Sequence, residues 1–292
     1  MTTVFPWSLF HLRRRGDAAE TPFQALLRAA LATPHYSSGP ERAALEWMLS
    51  AASTEQPEGT ALPVAPVDLA FFVKNRHLFR NPRAGRGGRF ELGGPWKQPG
   101  RVAAMAPWFP AGRGIRTFSA LDVEELAAWR PQTLMAPVDV LRRLAEAVLR
   151  GVIHLPSLGT GIIALLGAGY ALPEADDRDL FWEVFRVPVW TQWRGLDGEL
   201  LAEGCEAGED LHPVESAAIF ECRNGGGSEL LVTSLTNLRY PVLRLGSRSS
   251  ASLNQTKCEC GRLSSRLTGL GRLKPLQLAA AAVRTSSAVR AG

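Results

Sequence analysis

Between residues 102 and 194, short apolar runs alternate with stretches of helical periodicity, and this alternation constrains the fold more than any other feature of the chain. VAAMAPWFP, WRPQTLMA, GIIALLGAGYALP (a short apolar strand ending in a Gly loop) and PVWTQW read as strands, and LDVEELAAW, PVDVLRRLAEAVLRG and PEADDRDLFWEVF read as helices among them. In the second of these helices Val138, Leu141, Leu144, Ala145, Val148 and Leu149 recur at helical spacing. Strands alternating with amphipathic helices predict an α/β fold of layered sheets flanked by helices, with a largely parallel sheet.

The flanks read differently. Phe23, Leu26, Leu27, Ala30 and Leu31 form one helical face, opened by Thr21–Pro22 and closed by Pro34. A second helix follows from about Pro40, with Ala44, Leu45, Trp47, Met48 and Leu49. Residues 1–52 are therefore expected to be a helical cap, and 53–275 an α/β domain. Within that domain 53–66 is linker-like, VDLAFFVKNRHLF is a short helix, and the Gly, Pro and Arg of 81–100 mark a seam. The seam lacks the Gly-Lys-Ser/Thr of a phosphate-binding P-loop and reads as a flexible basic loop. Glu229–Thr233 and Tyr240–Leu245 are expected to be strands, and 276–292 a low-complexity, poorly ordered tail.

Composition narrows the function classes. At 46% hydrophobic and 21% charged residues, most of the chain is expected to be globular. The net charge of +5 rests on scattered arginines, with four lysines, and no nucleic-acid motif accompanies it, so no nucleic-acid partner is expected. No apolar run is long enough to span a bilayer. VFPWSLFHL precedes Arg13–Arg15, the reverse order of a secretory signal, and the expected location is the cytoplasm. Gly159-Thr160-Gly161-Ile162-Ile163-Ala164 loosely matches a dinucleotide fingerprint. However, a strand is expected to follow it where the fingerprint needs a helix.

All four cysteines lie between residues 205 and 260. Cys205 and His212 flank a Gly/Glu/Asp turn, Cys258 and Cys260 form a Cys-x-Cys pair before Gly261, and Cys222 stands apart. Three cysteines and a histidine can close a tetrahedral structural zinc site, although Cys-x2-Cys is the commoner knuckle. Free cysteines also serve as small buried hydrophobes, and spacing leaves both readings open.

SELLVTSLTNLRYPVLRLGSRSS and the following CECGRLSSRLTGLGR resemble the phenylacetate–CoA ligase branch of the acyl-adenylate-forming enzymes. That family shows a strand like ELVVTDL, then NRAMPLIRYRTGD, CPCGR and a hinge GR-x-D. Asn237, Pro241, Arg244, Cys258–Arg262 and Gly271-Arg272 stand at matching places. GCEAGEDLH resembles the family's ECE…GLH, GAGYALPEADDRDLFWEVFRVPV its strand, Gly loop and helix, and LLRAALATPHY its N-terminal helix. The resemblance implies the fold of the large N-terminal domain of adenylate-forming enzymes, here without the C-terminal lid domain. It also implies structural zinc on Cys205, His212, Cys258 and Cys260. The family's reaction uses ATP and Mg²⁺ to convert a carboxylic acid to acyl-AMP, which coenzyme A thiol then takes to acyl-CoA. A nucleotide or acyl site would be lined by Gly167, Ala168, Gly169, Trp193 and Asp197, with Asp197 placed to hold Mg²⁺ and Arg244 and Arg272 supplying positive charge.

The chain departs from the family at the reacting groups. NPRAGRGGRFELGG stands where a Ser/Thr/Gly-rich phosphate loop is expected, and Trp193-Arg194-Gly195-Leu196-Asp197 replaces YG-x-TE. The ribose-binding Asp falls near Ser249, and no lid lysine follows Gly271-Arg272, Lys274 coming too early. Two readings follow. One is a divergent adenylate-forming protein that retains a site for a small carboxylic acid or a nucleotide, with full catalysis by the chain alone not expected. The other is a non-catalytic, zinc-stabilised binding or scaffold protein, or an enzyme completed in trans by a protein partner.

Overall fold

The computed structural model describes residues 3–4, 20–51, 62–85, 91–96, 98–106, 109, 114–119, 122–174, 176–223 and 229–273. The tail expected at 276–292 and much of the expected linker lie outside these residues. The chain divides into two compact units, Met1–Arg89 with His212–Gly292, and Phe90–Leu211.

In the first unit β1 (Thr3–Val4) precedes α1 (Pro22–Leu31). Thr21 and Gln24 form a reciprocal cap: the Gln24 N–H donates to Thr21 Oγ1 at 3.2 Å, and the Thr21 N–H to Gln24 Oε1 at 2.9 Å. The helix buries Phe23, Leu26, Leu27, Ala29 and Ala30. Pro34, expected as a stop, opens the short α2 (Pro34–Ser37), which suits a residue tolerated in the first helical turn. In α3 (Arg42–Ala51) Leu45 and Met48 are buried, whereas Trp47 lies round the helix from both and is 57% exposed. Leu62 and Val64, in the expected linker, are buried. Asp68 caps α4 (Leu69–Lys74) by accepting the Phe71 N–H, and a 3₁₀ turn, Arg76–Phe79, follows.

The second unit holds β2 (Val102–Ala104), β3 (Ile115–Thr117), α5 (Val123–Trp129), β4 (Thr133–Pro137), α6 (Val138–Leu149), β5 (Gly161–Leu166), α7 (Asp177–Phe185), β6 (Val189–Arg194) and β7 (Leu200–Cys205). Its strands lie in the order β3-β2-β4-β5-β6-β7. The first five are parallel, with Thr133 opposite Gly161 and Leu166 opposite Trp193, and β7 returns antiparallel to β6. Every residue of β4 and β5 is buried, as strands covered on both faces require. Val102, Ala104, Met135, Ile163 and Leu165 form one core with Ala106 and Phe109, and Leu92 and Trp96 pack against it. The run after Gly159-Thr160 is the strand β5, so no helix opens there as a dinucleotide fingerprint would require. Arg142 of α6 grips Asp177 at the start of α7 with two 2.6 Å bonds.

β8 (Gly208–Pro213) follows β7, and the division between the units falls inside it, after Leu211. The first unit then resumes with β9 (Ala218–Cys222), β10 (Glu229–Ser234), β11 (Leu245–Asn254) and β12 (Arg266–Arg272). Here the order is β1-β9-β10-β11-β12, all antiparallel. The expectation of a largely parallel sheet is thus corrected: among the strands of the described residues, parallel ladders are confined to 102–194, and outside them Val67 makes an isolated parallel bridge to Leu245.

Tyr240–Leu245 is also corrected. The strand begins at Leu245 and runs on through polar residues. Upstream, the Tyr240 N–H donates to Asn237 Oδ1 (2.9 Å), the Leu243 N–H to the Tyr36 hydroxyl (3.0 Å) and the Arg244 N–H to Thr233 Oγ1 (2.8 Å). Side chains take these backbone donors, so no ladder forms. Among the described residues no helix is long and apolar enough to cross a membrane.

Candidate nucleotide site and metal-ligand cluster

Gly167, Ala168, Gly169, Trp193 and Asp197 all belong to the second unit, at or just beyond the C-terminal ends of the parallel strands β5 and β6. Open α/β sheets bind ligands at this end of their strands. A Cβ at position 167 would stand 2.8 Å from the Arg194 carbonyl oxygen and 2.9 Å from the Tyr170 ring, so only glycine admits that approach. Gly169, at φ +83°, makes the turn and is exposed. Trp193 is 1% exposed, its backbone paired with Leu166. Asp197 sits in the β6–β7 turn, where Gly195 N–H donates to the Glu199 carbonyl (2.8 Å) and Asp197 N–H to Glu199 Oε2 (2.9 Å).

Between these residues lies Arg194, which sequence reasoning passed over as a site in its own right. It is 1% exposed. Its guanidinium donates to Gln192 Oε1 and to the carbonyl oxygens of Glu91 (2.8 Å), Leu92 and Gly198 (3.1 Å), and lies over the Phe109 ring. Burial pushes its pKa down to about 9, against the nearby carboxylates of Glu199, Glu203 and Glu91, which favour the cation. Gln192 Nε2 donates to the Leu92 carbonyl as well. The segment that stands in sequence where a phosphate loop is expected therefore turns carbonyl oxygens toward a buried cation. The available signal was an arginine closing the strand run PVWTQW.

Arg244 and Arg272 belong to the first unit. Arg244, at φ +52°, donates to Glu221 Oε2 (3.2 Å) and to the carbonyls of Leu62 (3.0 Å) and Val64 (2.6 Å). Burial raises the Glu221 carboxyl, and the Arg244 charge opposes that rise. Arg272 ends β12, exposed, directly opposite the buried Ser249.

The metal candidates divide in the same way. His212, Cys258 and Cys260 are in the first unit, and their ligand atoms lie within 4.8 Å of one another. Cys260 Sγ stands 3.4 Å from His212 Nε2, and His212 Nδ1 stands 3.0 Å from Ser264 Oγ. Zinc–sulfur and zinc–nitrogen bonds of ~2.3 and ~2.0 Å put tetrahedral neighbours roughly 3.5–3.8 Å apart, so this spacing fits a metal. A tight turn shapes the pair: Gly261 N–H donates to the Cys258 carbonyl (2.9 Å), Cys258 N–H to the Arg262 carbonyl (3.1 Å), and Gly261 has φ +87°. Cys205 ends β7 in the second unit, buried, with the Ala207 N–H donated to its sulfur at 3.3 Å. Cys222, buried in β9, has its pKa pushed up to about 11 by desolvation.

No protein-family model matches the chain, and no curated protein matches it. Solved structures do. One is 2-hydroxyisobutyryl-CoA ligase in the postadenylation state in complex with R3-HIB-AMP. It has a TM-score of 0.59 and 15% identity, over 86% of this chain and 66% of that one. The same ligase in complex with 2-HIB-AMP and CoA in the thioesterification state gives a TM-score of 0.58 and 16% identity, over 87% and 67%. The chain thus spans about two thirds of that ligase's length. At this identity the likeness bears on the fold, and the chain has the mixed α/β fold of the large N-terminal domain of adenylate-forming enzymes.

Proposed function

We propose that the chain is a divergent acyl-adenylate-forming protein of the acid–CoA ligase type. In this reading it holds a small carboxylic acid or an adenine nucleotide at the ends of β5 and β6, and does not complete ligase turnover by itself. The glycine loop at Gly167–Gly169 supports the binding half, and Asp197, in the β6–β7 turn, is the carboxylate assigned to Mg²⁺ by the sequence resemblance. The single observation that carries the second half is the buried Arg194. Transferring an adenylyl group requires N–H donors and cations aimed at the phosphates. Here the carbonyls of Glu91 and Leu92 are spent on the Arg194 guanidinium. Ser249, at the place of the family's ribose-binding Asp, offers a neutral hydroxyl. Losing one such contact typically costs about 3 kcal/mol, roughly a hundredfold in rate, and several are altered.

The test is a coupled assay for pyrophosphate and acyl-CoA over a panel of small carboxylic acids with Mg·ATP and coenzyme A. No acyl-CoA above background is the expected result, and steady turnover by the chain alone overturns the second half. A protein with neither turnover nor binding of nucleotide or carboxylic acid favours the other reading, a zinc-stabilised binding or scaffold protein or an enzyme completed in trans by a partner.

Zinc belongs to the same proposal. His212, Cys258 and Cys260 hold it with Cys205 as the fourth donor, and four protein ligands leave no open position, which makes the site structural. Elemental analysis of chain purified without added metal should find about one zinc per chain, and none would end this assignment. Cys258→Ser lowers the thermal midpoint and the zinc content, whereas Cys222→Ala leaves the zinc content unchanged.

A further inference from the structure

We infer that Ser264 is the positioning residue of the metal cluster, holding the His212 ring in the one tautomer that can ligate. The inference rests on the zinc reading above and uses residues of the first unit alone. His212 is buried, and both of its ring nitrogens face side-chain groups: Nε2 faces Cys260 Sγ at 3.4 Å, and Nδ1 faces Ser264 Oγ at 3.0 Å. A neutral imidazole carries one N–H and one lone pair. For Nε2 to present its lone pair to a metal beside the Cys260 sulfur, the proton must sit on Nδ1, where it is donated to the serine oxygen. A serine hydroxyl accepts that bond and still has its own proton to donate elsewhere. Ser264 therefore gives the Nδ1 proton of the ligating tautomer an acceptor and fixes the ring plane with Nε2 toward Cys260, as partners of ligating histidines do.

The chain makes this economical. Ser264 lies six positions beyond Cys258, just after the turn that closes at Arg262 and before β12. The segment that supplies both thiolates thus also supplies the group that orients the imidazole. Losing the hydroxyl frees the ring to rotate or to take the other tautomer, in which Nε2–H would meet the sulfur and exclude the metal. Partners of this kind are worth about 10–100-fold in metal affinity.

The experiment is a zinc titration of the full chain against a chelator of known affinity, for the wild-type protein, Ser264→Ala and Ser264→Thr. The expected result is a 10–100-fold weaker zinc affinity in Ser264→Ala, with most of it regained in Ser264→Thr, which keeps a hydroxyl. Equal affinity in Ser264→Ala and wild type overturns the inference while leaving the zinc reading intact. Absence of zinc binding by wild type overturns the zinc reading itself. Should Ser264→Ala not fold, nitrogen NMR of the wild-type zinc form decides: a proton on His212 Nδ1 and metal on Nε2 is expected, and the reverse assignment overturns the inference.

Discussion

β5 in the second unit and β11 in the first solve the same problem with opposite materials. β5 is GIIALL, and all six of its residues are buried between parallel neighbours. β11 is LGSRSSASLN, and what it buries includes Ser247, Ser249 and Ala251. The first strand is held by apolar area, the second by its neighbours' hydrogen bonds and by fixed points around it. Those fixed points are polar: Tyr36 at the Leu243 N–H, Thr233 at the Arg244 N–H, and the Arg244 guanidinium on Glu221, Leu62 and Val64. The same difference extends to the candidate sites. The proposed ligand-binding edge sits on the apolar parallel strands, and the candidate metal cluster draws three of its proposed donors from the polar antiparallel unit.

The largest effect should come from cutting a polar fixed point. Arg244→Ala leaves Glu221 buried beside no guanidinium, and removing one partner of a buried pair costs about 3–5 kcal/mol. Lysine at 244 should recover little, because a single ammonium cannot bridge one carboxylate and two carbonyls as the guanidinium fork does. Denaturant midpoints measure both. Adding Glu221→Gln to Arg244→Ala should return part of the loss, and a loss below about 1 kcal/mol in Arg244→Ala would remove the contrast drawn above.

Next comes an apolar deletion. Ile163→Ala, in the core with Met135 and Leu165, should cost about 2–5 kcal/mol through lost burial and the cavity left behind. No partner substitution of charge should rescue it, and a rescue by Glu221→Gln would break the comparison.

The smallest effect concerns Arg142–Asp177, a two-bond ion pair of the second unit. Burial alone would raise the Asp177 carboxyl, but the Arg142 guanidinium and the Glu174 N–H outweigh it and hold the pKa below the usual value. The pair's contribution is therefore fully present above the unfolded carboxylate pKa of about 3.9 and disappears as pH falls through the lower folded value. At pH 6, Asp177→Asn should be less stable than wild type by about 1.5–3 kcal/mol. The gap should close as the pH drops below 4 toward 2, and a gap that persists there means the carboxylate is not the source.

Legibility in the sequence follows the same line. α1, α6, β4 and β5 were readable because burying apolar side chains imposes a period, and Phe23, Leu26 and Leu27, or GIIALL, carry it openly. β11 was not, because serine and glycine in a sheet interior leave no hydrophobic period. Tyr240–Leu245 misled for the complementary reason: its apolar residues are buried, yet Asn237, Tyr36 and Thr233 take the backbone donors that a strand would use. Trp47 shows that helical spacing alone does not say which side of a short helix packs. At the sites, residue types were legible and commitments were not. Arg194 read only as part of the Trp193–Asp197 segment after the strand run, and only its position reveals the bonds to Gln192 and the carbonyls of Glu91, Leu92 and Gly198. Ser264 lacked any signal, since a serine two residues past a Cys-x-Cys-Gly-Arg turn is ordinary until His212 Nδ1 is found beside it.

The account stands most directly on whether the edge formed by Gly167–Gly169 and Asp197 still takes a nucleotide. Calorimetric titration of the full chain with Mg·ATP, and then with AMP, measures this. The account predicts saturable binding of at least one of the two, with a Kd at or below about 1 mM, equivalent to about 4 kcal/mol, and no acyl-CoA formed. No heat and no thermal stabilisation at millimolar nucleotide would contradict it.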